Sequence, residues 1–169
     1  MDILLVDGYN IIGAWPELRK LKDQDLALAR DILVSKMAEY QAYTGFQVLV
    51  IFDAHLSQGI ETKYKNHRVE VIYTRENETA DERIEKLAIS LNNIKTQIHV
   101  ATSDYTEQWA IFGQGALRKS ARELLEETTA IELRIKKRVT NFTNKKPSKR
   151  IELDTEVTAI FEKWRRGER

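Results

Sequence analysis

Residues 1–15 are MDILLVDGYNIIGAW. An apolar run, Ile3 to Val6, ends on an acid, Asp7; Gly8, Tyr9 and Asn10 follow, and the chain turns apolar again. The run is β-rich and does not alternate with polar residues, which predicts a strand covered on both faces, as in a parallel sheet. The phrase recurs. FQVLVIF (46–52) ends at Asp53, and TQIHVAT (96–102) ends at Ser103-Asp104. HRVEVIYT (67–74) is a further strand candidate.

The pattern changes between these runs. Leu26, Ala29, Leu33, Met37 and Tyr40 recur at helical spacing within Asp25–Tyr43, and Gly45 marks the end of that helix. A second helix opens near Thr79, a predicted N-cap with Glu82 three residues on, and carries Ile84, Leu87, Ala88 and Leu91 on one side. WAIF (109–112) is a short fifth element, and Gly115 precedes a helix containing Leu117, Ala121, Leu124 and Leu125. Beyond Glu127 the sequence fits a strand, a continued helix or both; Asn144–Arg150, with Pro147, fits a loop. At about 153–166, Val157, Ile160, Phe161 and Trp164 have the spacing of a helix docked by one face. Strands joined by crossover helices predict an α/β fold, a mostly parallel central sheet flanked by helices, in one domain over 1–169.

Composition narrows the function classes. With 169 residues and 42% hydrophobic residues the chain can bury one sizeable core. The absence of cysteine excludes disulfides, zinc–thiolate sites and thiol nucleophiles. No apolar stretch has the length of a membrane span, and the start lacks the pattern of a signal peptide, so a cytoplasmic location with no membrane contact is expected. The net charge of +1 hides an asymmetry. Residues 1–133 carry −6, whereas 134–150, RIKKRVTNFTNKKPSKR, hold eight basic residues and no acid. Arg134, Lys136, Lys137 and Arg138 precede Phe142; Lys145, Lys146, Lys149 and Arg150 follow it. A basic strip with an aromatic inside suits contact with an RNA backbone, whether that of a cleaved strand or of ribosomal RNA; a solvated charged loop is the plainer alternative. Arg118, Lys119 and Arg122 add cations at the start of the helix expected after Gly115, with Arg118 and Arg122 on one face.

Asp7, Asp53 and Asp104 each end a strand run, and in an open parallel sheet those ends share one edge, where ligands bind. Asp81 enters from the start of a helix after the third strand. Clustered carboxylates repel and need a cation, a proton or a basic partner. Mg²⁺ or Mn²⁺ suits oxygen ligands, while three histidines and no cysteine give zinc little support. Each acid taken singly also fits helix capping or solvent exposure. Asp53 opens DAHLSQG, which also fits a loop beside the centre. Asn10 suits orienting Asp7 or holding a water or phosphate, and Thr102 and Ser103 suit donating to a carboxylate or phosphate. Arg30 suits a solvent-facing site. Tyr9 and Trp15 fit either base stacking or the core.

DILLVDGYNII (2–12), IFDAH (51–55), TADERIEKL (79–87), VATSD (100–104) and GQGALRKSARELLEE (113–127) resemble the NYN domain of the YacP type, within the PIN-like nucleases. The resemblance covers the whole chain in order. It implies a metal-dependent RNA endonuclease whose acids at strand ends hold one or two divalent ions. Asp7, Asp81 and Asp104 match the metal-holding acids, Asn10 matches the polar residue after the first acid, and Asp53 matches an acid of less defined role. Ribosome-associated enzymes that cut mRNA during translation belong to this family, so mRNA and the ribosome are the implied partners. The implied chemistry is metal-assisted attack of water on the phosphodiester, leaving a 5′-phosphate and a 3′-hydroxyl. Two other classes use the same residues: a phosphatase-like phosphoryl-transfer enzyme, and a non-catalytic RNA- or ribosome-binding module. DGYN lacks the second Asp two residues after Asp7 that a common phosphatase arrangement requires.

Overall fold

The computed structural model describes residues 1–54, 69–103, 112, 115–144, 163 and 165–167. Among these, five strands form one sheet: β1 (Asp2–Asp7), β2 (Gln47–Phe52), β3 (Glu70–Tyr73), β4 (Gln97–Ala101) and β5 (Leu117–Lys119). The order is β3-β2-β1-β4-β5, and every pairing is parallel. The helices are α1 (Gly8–Ala14), α2 (Pro16–Lys22), α3 (Leu26–Thr44), α4 (Ala80–Leu91) and α5 (Ala121–Asn144).

The unbroken apolar runs are explained by cover on both faces. Ile3, Leu5, Leu49, Ile51, Ile98 and Val100 pack with Ala80, Ile84 and Ala88 of α4. The alternate residues, Leu4, Val6, Val48, Val50 and Phe52, are fully buried on the side where α1 and α3 meet β1 and β2. Each such aliphatic side chain contributes about 1.5–3 kcal/mol through burial.

Local chemistry sets the helix ends. Asp25 caps α3 by accepting from the Leu28 amide at 3.0 Å, and Gly45 closes it in the left-handed region at φ 79°. Thr79 caps α4, its hydroxyl accepting from the Glu82 amide at 3.2 Å. The segment after Asp7 forms two short helices that apolar patterning alone did not announce. They part at Trp15, which is extended (φ −81°, ψ 124°) because Pro16 follows it and opens α2.

One expected helix starts late. Leu117–Lys119 is a strand, not the beginning of the helix after Gly115: it pairs His99 with Leu117 and Ala101 with Lys119. The helix begins at Ala121 and runs on to Asn144, so the stretch beyond Glu127 is helical. WAIF lies outside the described residues except for Phe112, as do Val157, Ile160, Phe161 and Trp164 of the expected terminal helix. The chain divides into two units, Met1–Thr129 and Ala130–Arg169. The first contains the whole sheet. In the second, Arg134, Lys136, Lys137 and Arg138 are exposed, and so are Leu133, Ile135, Val139 and Phe142.

Candidate active site at the carboxyl edge of the sheet

From β1 the chain builds outward through β2 and β3, then returns to the other side of β1 for β4 and β5. The β1–β4 boundary is therefore the switch point of the sheet, the place where open parallel sheets bind ligands beyond their carboxyl ends. β1 delivers Asp7 there. Asp7 is buried, with 7% of its surface exposed. It holds the N-cap position of α1, yet its side chain makes no capping hydrogen bond. Strand alternation puts it on the same face as Ile3 and Leu5, the face covered by α4.

α4 starts at this same edge, because it follows β3 and returns the chain to the amino end of β4. Asp81 is its second residue, beside Ala80, which packs in the core with Ile3 and Leu5. The fold thus brings Asp7 and Asp81 to one edge and one face. Asp53 follows the end of β2; Asp7 is level with Ile51, so Asp53 stands two residues farther along. The end of β2 is tied to β3, since Thr74 donates its amide to the Phe52 carbonyl at 3.0 Å and its hydroxyl accepts from the Ala54 amide at 2.9 Å. Asp104, next after Ser103, lies outside the described residues. Among the described residues no three His, Asp or Glu side chains form a metal-binding group.

Asn10 has a definite task. Its Oδ1 accepts from the Ser103 amide and from the Ser103 hydroxyl, both at 2.6 Å. Thr102, 1% exposed, donates its amide to the Lys119 carbonyl at 3.2 Å. The carboxyl end of β4 is fastened on both sides.

Gly8 is needed for space rather than for an unusual φ. A Cβ there would collide with the Phe52 ring and lie 3.0 Å from the Ile51 carbonyl oxygen. Phe52 stacks with Tyr73 at 5.8 Å and meets the Tyr9 ring at 5.0 Å. Arg30 does not reach solvent: it is 5% exposed and donates to the Tyr9 hydroxyl at 3.0 Å. Trp15 belongs to the core, 2% exposed, with its indole N–H donating to the Ala121 carbonyl at 2.8 Å.

The cations expected near Gly115 are placed differently from a shared helix face. Arg118 and Lys119 are on β5 and Arg122 on α5, so strand geometry separates the first two from the third. Lys119 Nζ donates to both Glu127 carboxylate oxygens at 2.7 Å, and the Tyr40 hydroxyl donates to Glu127 at 2.8 Å. Burial, reinforced by the Glu127 carboxylate, pushes the Tyr40 phenol above its ordinary pKa. Arg122 is exposed and pairs with Glu126 at 3.2 Å. Lys145, Lys146, Lys149 and Arg150 lie outside the described residues. His55 and His67 do too, while His99 sits 3.1 Å from Asp2 at the other end of the sheet.

Sequence reasoning missed Glu78. It is 6% exposed just before α4, with Lys86 Nζ at 2.7 Å and Arg83 at 3.6 Å. The hydrogen bond from Lys86 outweighs burial and holds its carboxyl below the usual range. Its partners lie five and eight residues on, across a helix start, a spacing with no simple sequence signature.

A family model described as a YacP-like NYN domain matches residues 4–166. The chain belongs to this family. The Bacillus subtilis (strain 168) protein YacP is 70% identical over 168 residues, 99% of each chain. The crystal structure of Rae1 (YacP) from Bacillus subtilis superposes with a TM-score of 0.80 at 70% identity, covering 99% of this chain and 96% of that one. The structure of its W164L mutant gives 0.76 at 69% identity over 86% of each chain. The NYN fold, a PIN-like nuclease fold, accounts for the acids at the carboxyl edge. The donors there are carboxylates, without thiols and without histidine among the described residues, which fits a hard divalent ion.

Proposed function

We propose that this NYN protein is a metal-dependent endoribonuclease that cleaves mRNA in the cytoplasm in association with the translating ribosome. The observation that carries the proposal is Asp7: a buried carboxylate set at the switch point, on the face covered by the helix whose second residue is Asp81. Membership of a PIN-like nuclease family supports the reaction class. Asp7, Asp81 and Asp104 would hold Mg²⁺ or Mn²⁺, which when bound supplies Lewis acidity toward water and the scissile phosphate. The chain's own residues give that chemistry its frame. The core strand β1 fixes Asp7 and the Thr79-capped start of α4 fixes Asp81, while Asp53, at the end of β2, is a candidate for orienting a water molecule.

Phosphate must also be drawn toward an acidic centre. Arg134, Lys136, Lys137 and Arg138, exposed on α5, together with Lys145, Lys146, Lys149 and Arg150, supply the basic surface for RNA or ribosome contact. Replacing the last four by Ala should weaken ribosome association and flatten its salt dependence; unchanged association across several salt concentrations would remove them from this role. The test of catalysis compares wild type with the Asp7→Asn/Asp81→Asn double variant on translating ribosomes with Mg²⁺, with RNA ends mapped. Cuts bearing 5′-phosphates are expected from wild type alone. Equal cutting by both proteins, or 2′,3′-cyclic phosphate ends, would overturn the mechanism.

A further inference from the structure

The end of β4 poses a hydrogen-bonding problem. Parallel strands alternate the direction of their amides, and the Thr102 amide points to β5, where it meets the Lys119 carbonyl. The next amide, Ser103, therefore points to the β1 side. β1 is no longer there: its backbone left the sheet at Asp7 and wound into α1. A backbone N–H at such a place needs a substitute acceptor. Asn10, in the first turn of α1, provides it with Oδ1 at 2.6 Å and accepts the Ser103 hydroxyl at the same distance.

The orientation of the Asn10 amide is dictated by its partner. A backbone N–H only donates, so the carbonyl oxygen and not the nitrogen must face Ser103. A carbonyl oxygen has two lone pairs, and these two bonds occupy both. Asn10 Oδ1 thus has no acceptor capacity left for a metal ion, and the Ser103 hydroxyl proton is not available to a phosphate.

Resting on the nuclease reading, we infer that Asn10 and Ser103 form a positioning clamp across the β1–β4 switch point, and that Asn10 meets substrate or a neighbouring carboxylate only as a donor, through Nδ2. The clamp sets the backbone from which Asp104 departs against the turn three residues after Asp7. It ties the end of β4 to the first turn of α1, and with both of its lone pairs engaged Asn10 Oδ1 is not a metal ligand.

The test uses the full chain and the variants Asn10→Ala, Asn10→Asp and Ser103→Ala. Asp keeps the acceptor oxygens and the shape but has no –NH₂. Amide hydrogen exchange at Ser103, followed by NMR, reads the clamp without reference to activity. Protection should survive in Asn10→Asp and fall in Asn10→Ala by roughly 5-fold or more, the equivalent of one ordinary hydrogen bond. Mn²⁺ affinity, measured by calorimetry, should drop roughly 10-fold or more in Asn10→Ala, as for loss of an outer-shell partner, and should be kept in Asn10→Asp. RNA cleavage should fall in both Asn10 variants, because the donor is missing from each. In Ser103→Ala the amide bond stays, so its exchange and Mn²⁺ affinity should change less than in Asn10→Ala. Unaltered Ser103 protection in Asn10→Ala would overturn the clamp, and so would loss of Mn²⁺ binding in Asn10→Asp. Failure of the nuclease reading is separately visible: wild type would leave RNA intact while the exchange data still decide the clamp.

Discussion

Two polar clusters in the Met1–Thr129 unit use similar residues to opposite ends. Around Tyr40, Glu127 and Lys119 the charges cancel within the cluster: the ammonium spans both carboxylate oxygens, and the phenol bonds the same carboxylate. At the carboxyl edge the fold buries Asp7 at the end of β1 and starts α4, with Asp81 as its second residue, from the same edge. The first arrangement is complete and serves stability. The second is the arrangement in which the proposed function would add a cation, since carboxylates brought to one edge are stabilised by an opposite charge. The position of a lysine in the sequence does not tell which kind of cluster it will join; Lys119, one of three cations near Gly115, pairs in the fold with Glu127.

Mutations should separate the two clusters. The largest effect is expected from Asp7→Asn: ribosome-dependent RNA cleavage should fall by more than the roughly 10–100-fold typical of losing an outer-shell partner, while the thermal midpoint measured with chelator present stays level or rises. A marked drop in that midpoint would make Asp7 a structural residue like Glu127 and erase the contrast. Gly8→Ala comes next. Its new Cβ meets the Phe52 ring and the Ile51 carbonyl, so overpacking should cost about 1–3 kcal/mol in urea unfolding; wild-type stability would show that Phe52 yields freely. Lys119→Met should act on stability with little direct effect on cleavage. Glu127 is 43% exposed at its side chain and regains water, so the cost should not exceed about 1 kcal/mol, the upper end for an exposed ion pair. A larger loss of cleavage than of stability would return Lys119 to the substrate.

The smallest effect concerns pH. Because Lys86 holds the Glu78 carboxyl below its ordinary pKa, this pair's stabilisation is fully present above the unfolded-state pKa and disappears as pH falls through the folded value. Glu78→Gln should therefore flatten the acid limb of the stability–pH curve and leave its shape above the carboxylate range unchanged. An identical acid limb in both proteins would show that Glu78 is not coupled to folding.

Legibility differed from element to element. Ile3–Val6 and the 46–52 run were readable as buried parallel strands because a strand covered on both faces needs apolar residues at every position. The Gly45 and Thr79 caps are readable because capping is local chemistry between residues at most four apart. Leu117–Lys119 was misread as helix because three residues carry too little periodicity, and only the edge of β4 makes them a strand. Arg30 suits a solvent-facing site in the sequence because charge usually seeks water, whereas in the fold it is buried and donates to the Tyr9 hydroxyl, 21 residues away.

The sequence by itself determined which residues are candidates for the chemistry: Asp7, Asp53, Asp81 and Asp104 at the ends of strand runs or the start of a helix, and a basic strip from Arg134 to Arg150. Apolar runs, caps and charge runs are properties of neighbours along the chain, so they can be read without coordinates. Only the tertiary structure decided the order β3-β2-β1-β4-β5, which sets β1 against β4 and brings Asn10 to Ser103. The reason is physical. Sheet order is fixed by how crossover helices cover two faces at once, a global packing problem in which every strand competes for the same neighbours, and no local pattern in one strand encodes its solution.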